Sequence, residues 1–146
     1  MAFISIKYIH FVSILLLFSF CLLEYVQLKP TFSRSNIKRL MQVDILFGLS
    51  ALVVLFSGLL MALWLAKPLD YYLNNWIFHL KYSLFITIGL ISAYPTRFFF
   101  RSRRGDDADN IELPKRLRLA VRLELAGILC LPLLGILMAS GFGVIR

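Results

Sequence analysis

An all-α integral membrane bundle of four antiparallel helices is the fold class this sequence predicts, and three observations predict it. The chain is 60% hydrophobic and only 16% charged over 146 residues, an apolar excess that the core of a water-soluble domain of this size does not need. Four apolar stretches fill most of its length, each near the ~20 residues that a helix needs to cross a bilayer. Lys and Arg gather between the first and second stretches and between the third and fourth, leaving the middle connection almost bare of them. The whole chain, 1–146, reads as a single transmembrane domain with no soluble part.

The first span, residues 3–26, starts with Lys7 among Phe, Ile and Leu. A secretory signal would have a small-residue cleavage site after it, and none follows. A lipoprotein signal would have a small residue before Cys21, where Phe20 stands. The segment is therefore expected to be a permanent helix. The second span, 44–66, carries Asp44, Gly48, Ala51, Leu55, Gly58 and Ala62 on one helical face, a small-residue stripe that suits close helix packing or the flat edge of a ligand. The third, 76–97, contains His79 and Lys81, with Pro95 near its end. The fourth, 119–142, contains Arg122, Glu124 and Pro132. Trp64, Tyr71, Tyr72 and Trp76 cluster at the ends of spans two and three, as interfacial anchors do.

The connection between spans one and two carries Lys29, Arg34, Lys38 and Arg39. That between spans three and four carries Arg97, Arg101, Arg103, Arg104, Lys115, Arg116 and Arg118, while Lys67 alone lies between spans two and three. The positive-inside rule puts both basic loops in the cytoplasm and both termini outside, the expected setting being a bacterial inner membrane. The net charge of +8 flanks spans and accompanies no nucleic-acid motif, so contact with anionic lipid at the cytoplasmic face explains it better than nucleic acid does. Residues 101–113 switch from basic to acidic, which reads as a short solvated loop, or as a docking surface for a partner.

No haem-attachment, zinc, Walker or dinucleotide spacing is present, and Cys21 and Cys130 read as buried packing residues. The chemistry therefore rests on ionisable residues at membrane depth, which are functional candidates by default. His10 and Lys81 fall at one depth near the outer side, where two helices can hold a ligand between them. On span one, His10, Ser13, Leu17, Phe20 or Cys21, and Glu24 share a face, and on span three Lys81 aligns with Phe85, Ile88, Ser92 and Pro95. His79, two residues from Lys81, points elsewhere and reads as interfacial. Near the cytoplasmic side Glu24, Asp44, Arg122 and Glu124 form a second polar layer, expected to be a salt-bridge belt, with a proton path as the alternative.

The stretches DILFGLSALVVLFSGLL, DYYLNNWIFHLKYSLFITIGLISAYPTRFFFRSRR and RLRLAVRLELAGILCLPLLGILMASG, with a histidine in span one, resemble a bacterial family of predicted four-helix membrane proteins classed as a domain of unknown function. The span-one histidine, the SGLL of span two and the lysine early in span three also look like the pattern of HemJ-type protoporphyrinogen oxidases, and CopD-type membrane proteins share a comparable layout. That more distant resemblance implies haem b, with His10 as the haem-associated histidine and metal ligand and Lys81 as the lysine needed for activity. Gly58 would face a tetrapyrrole edge, and His79 would be the second imidazole if one subunit supplied two. The chain departs from the oxidases in its cytoplasmic polar layer and in SAYPTRFFF, which puts the substrate in doubt.

Three classes of function follow. One is a haem b oxidoreductase or electron carrier whose chemistry resembles porphyrinogen oxidation. Another is a non-enzymatic accessory or assembly subunit, working as a homo-oligomer or within a larger membrane complex. The third is a small transporter, the weakest because no inverted repeat or broken-helix pair is visible. The orientation is open to direct test: reporter fusions after Arg104 and after Arg146 should report opposite sides of the membrane.

Overall fold

The computed structural model describes residues 1–65, 67–107 and 109–144, with the backbone alone for residues 64 and 65. The sequence expectations for Ala66 as the end of span two, for the side chain of Trp64 and for Arg146 lie outside the described residues. The elements run α1 (Ala2–Gln27), β1 (Thr31–Ser33), α2 (Arg34–Leu60), a π-helical turn (Met61–Leu65), α3 (Leu69–Leu73), α4 (Trp76–Ser102), β2 (Asn110–Glu112) and α5 (Lys115–Ala139). Four of these helices are long and apolar enough to cross a membrane.

The long helices pack as two antiparallel hairpins, α1 with α2 and α4 with α5, joined through α1–α5 and α2–α4 contacts into a four-cornered bundle. The core runs down the middle through Leu17, Cys21, Phe47, Val54, Ile88, Val121 and Ile128. On the outside Leu, Ile and Phe are exposed along every long helix, Leu90 at 73% and Leu15 at 66%. In water such faces would drive association. In hydrocarbon they are the solvated surface, and the helices keep their backbone polar groups paired internally.

Three helices outrun their apolar windows at the end that carries the basic loops. α2 starts ten residues before position 44 because Ile37 and Leu40, both buried, give its first turns an inward apolar stripe beneath Arg34, Lys38 and Arg39. α4 continues through Pro95 to Ser102. Proline forfeits one backbone bond and ordinarily kinks a helix, yet Pro95 is buried and Phe99, one turn on, is fully buried, so packing holds the helix beyond it. α5 begins at Lys115.

Between these extensions the two basic loops meet. β1 and β2 pair antiparallel, Thr31 opposite Glu112, Phe32 opposite Ile111 and Ser33 opposite Asn110, and Phe32 is buried beneath them. The charge switch of residues 101–113 is thus an intramolecular clamp rather than a free loop. Arg34 pairs with Asp109 at 3.0 Å and Lys38 with Asp107 at 2.6 Å. Gly105 turns the chain with φ +123°, and an added Cβ there would collide with the Arg34 guanidinium.

The opposite end is closed by Asn75. Its side chain accepts from the Ile77 N–H at 2.9 Å as the N-cap of α4 and donates to the Phe142 carbonyl at 3.0 Å. The start of α4 is thereby tied to the tail beyond α5, where Trp76 N donates to the Gly143 carbonyl.

Close approach of α4 to α5 depends on Gly127, where an added Cβ would lie 2.8 Å from Ile88, whereas Gly89 faces open space. Gly127→Val should cost about 1–3 kcal/mol by overpacking. Gly89→Ala should leave stability level or slightly raised, since alanine is the better helix former. Thermal unfolding of the two purified variants checks the contrast.

Candidate functional site

The buried stripe of α1 is His10, Ser13, Leu17, Cys21 and Glu24, with Cys21 taking the inward place that the spacing left to Phe20 or Cys21. The buried stripe of α2 is rotated from the expected small-residue face: Asp44, Phe47, Ser50, Val54 and Ser57 turn inward, and Gly48 is exposed, with open space where a Cβ would stand. The sequence offers small residues on two neighbouring faces of α2, and the packing selects the one that can satisfy α1. That rotation brings Ser57 to His10, a partner that sequence reasoning missed. Its signal was present in the serine that precedes Gly58, at the antiparallel level of His10.

His10 is buried at 8% exposure, and its Nδ1 lies 2.8 Å from Ser57 Oγ. Ser57 Oγ also lies 2.5 Å from the Val53 carbonyl, which can only accept. A hydroxyl has one proton, and that carbonyl takes it. The Nδ1–H must therefore donate to Ser57 Oγ, which leaves Nε2 as the nitrogen with the free lone pair. Gly58 makes room for the ring: a Cβ there would sit 3.2 Å from His10 Cε1. The glycine serves the imidazole directly, besides lining the cavity beside it.

That cavity, about 410 Å³, opens at the end of the bundle opposite the strand pair. It falls within the ~300–1,000 Å³ range of small-molecule sites. His10, Gly58 and Lys81 all line it, so the two ionisable residues expected at one depth do share a site. Lys81 is half-buried and makes no hydrogen bond or ion pair among the described residues. Its Nζ passes over Gly135, 3.5 Å from where a Cβ would be. Lys7 and Lys67 add two more cations to the lining, Lys67 lying 3.8 Å from the centre of the Tyr71 ring. Among the described residues no carboxylate lines the cavity, whose remaining walls are aliphatic, aromatic and the thioethers of Met61 and Met138. The π-helical turn starting at Met61 widens the end of α2 at this wall, a distortion common at functional sites.

Several expectations change here. His79 is exposed and its Nε2 is 2.9 Å from the Leu73 carbonyl, so it does not join His10 in the cavity. Tyr71 and Tyr72 turn inward rather than anchoring at the interface. Tyr71 donates its hydroxyl to the Met138 carbonyl, and Tyr72 is 6% exposed, burial raising its phenol above the ordinary pKa. Trp76 remains exposed as an anchor would be. Cys21 is fully buried, whereas Cys130 lies on the exposed outer face.

The second polar layer is also not the expected belt. Glu24, Asp44 and Glu124 are buried together from three helices, each carboxyl the electrostatic neighbour of the others. Arg122 is not with them. Two residues along a helix turn it by more than half a circle, so Arg122 points outward from Glu124, toward the Tyr25 hydroxyl at 3.4 Å. Both oxygens of Glu24 and of Glu124 lack a hydrogen-bond partner, and Asp44 has one from Thr96 at 3.0 Å. Among the described residues no cluster of His, Cys, Asp and Glu is arranged to hold a metal ion by itself.

A four-helix bundle whose long helices are apolar enough to cross a membrane defines a multi-pass membrane protein. The chain belongs to the family described as predicted membrane protein (DUF2214), whose model matches residues 3–143. No curated protein and no solved structure matches the chain.

With no cation beside them, the carboxyls of the layer oppose folding. Replacing Glu124 with Met should raise stability by about 1–3 kcal/mol, the cost of a buried polar group left unmade. Arg122→Ala should stay within ~0.5 kcal/mol. Thermal unfolding in detergent measures both, and a large loss in Arg122→Ala would restore the belt.

Proposed function

We propose that the protein binds haem b in the cavity beside His10 and acts in membrane redox chemistry resembling porphyrinogen oxidation, with both termini on the outer face of a bacterial inner membrane. The observation that carries the reading is the Ser57-oriented imidazole of His10 in a largely apolar cavity whose charged lining, among the described residues, is lysine. The donor set fits a tetrapyrrole. A neutral imidazole held by a hydrogen bond at its other nitrogen is a common iron ligand, and apolar walls with unpaired cations suit a flat hydrophobic body bearing carboxylates.

Within this reading His10 is the iron ligand through Nε2, and Ser57 fixes its tautomer and ring plane. Lys81, the cation furthest into the bundle, pairs with a carboxylate of the ligand or carries a proton to and from the reacting centre. Bound haem would supply one-electron chemistry at this cavity. Met61 and Met138 also line the cavity, and a thioether is a further kind of iron ligand.

The test is the reduced-minus-oxidised absorbance spectrum of purified, haem-supplied protein. His10→Ala should abolish haem bands while the helical content is kept. Ser57→Ala should weaken haem affinity by about 10- to 100-fold, as loss of a ligand's hydrogen-bond partner does. Lys81→Ala should keep most haem and lower turnover. An unchanged spectrum in His10→Ala would move the ligand to another side chain, with the cavity methionines Met61 and Met138 next in line. Wild-type protein that never takes up haem would leave the non-enzymatic accessory subunit as the surviving reading.

A further inference from the structure

We propose that a second pocket, at the strand-paired end of the bundle, binds the phosphate headgroup of an anionic membrane lipid. The pocket, about 320 Å³, lies between the turn after α1 and the start of α5, and Lys115, Arg118 and Arg122 are its charged lining. Their spacing of three and then four residues sets them on one helical face. Among the described residues no acidic side chain lines it.

The contrast with α2 gives the argument its force. Both α2 and α5 begin with basic residues, at the helix end whose dipole favours an anion. In α2 the chain supplies that anion, since Asp109 pairs with Arg34 and Asp107 with Lys38. In α5 it does not. Lys115 makes no ion pair or hydrogen bond among the described residues. Arg118 spends one Nη on the Leu28 carbonyl at 3.0 Å, which positions it while leaving its charge unmatched. Arg122 leans over Tyr25, 5.9 Å from the ring centre, and has no carboxylate partner.

Apolar surface next to these cations selects a lipid over free phosphate. Leu119 lines the pocket, and Leu123 follows it one turn deeper on α5, the two being 53% and 50% exposed. A headgroup phosphate at Lys115, Arg118 and Arg122 would place its acyl chains along those leucines. Inorganic phosphate gains nothing from them. The site lies at the other end of the bundle from His10 and does not rest on the haem reading.

The full-length protein, reconstituted in bilayer discs of mixed phosphatidylglycerol and phosphatidylcholine, tests this by native mass spectrometry of retained lipid. Lys115→Gln with Arg122→Gln should lower phosphatidylglycerol retention by roughly 10- to 30-fold, two near-surface cations being removed. Arg101→Gln with Arg104→Gln removes the same charge from the same end outside the pocket and should change it little. Lys115→Arg with Arg122→Lys keeps the charges and should keep the lipid. Equal loss from both glutamine pairs, or none from the pocket pair, overturns the site. Thermal stabilisation by inorganic phosphate that matches phosphatidylglycerol overturns its assignment to a lipid.

Discussion

The antiparallel register of α1 against α2 is the constraint on which the rest of the molecule depends. In lipid no water waits to satisfy a misplaced polar side chain, so the seam must bring His10 to Ser57 at one end and Glu24 to Asp44 at the other. A shift of one residue would carry His10 away from its acceptor and toward hydrocarbon. The apolar residues between these ends, Leu17 and Cys21 against Phe47 and Val54, would tolerate more than one register. The polar ends remove that freedom.

Given the register, the two ends of the bundle acquire different characters. At one, the Asn75 cap, the inward tyrosines and the π-helical turn leave a roomy cavity beside a fixed imidazole. At the other, the strand pair and its two ion pairs draw the basic loops together. Those ion pairs are exposed and contribute little stability by themselves. Their consequence is electrostatic, because they neutralise the start of α2 and leave that of α5 cationic.

The buried carboxyl layer is where local rules conflict with the fold. Glu24 and Glu124 are buried without partners, a cost that packing alone does not repay. Natural sequences accept such a cost at functional positions more than elsewhere. The layer lies on the seam that also holds Ser50, Ser13 and His10, so its polar character continues toward the cavity along α1 and α2.

By itself the sequence determined that this is a four-helix membrane protein, and it singled out His10 and Lys81, which line one cavity. Length, hydropathy and helical period are local properties, and lipid leaves few alternatives to helices that span it. The inward face of α1 was legible for the same reason, its polar residues recurring at helical spacing among apolar ones. Only the tertiary structure decided the rotation of α2, because small residues occupy two of its faces and the choice depends on what α1 presents. It likewise decided that Ser57 holds His10, that Arg122 turns away from Glu124, and that two three-residue strands join loops distant in the chain. Each of these is a pairing between segments, and a pairing is set by the neighbour's orientation as much as by the residue's own type.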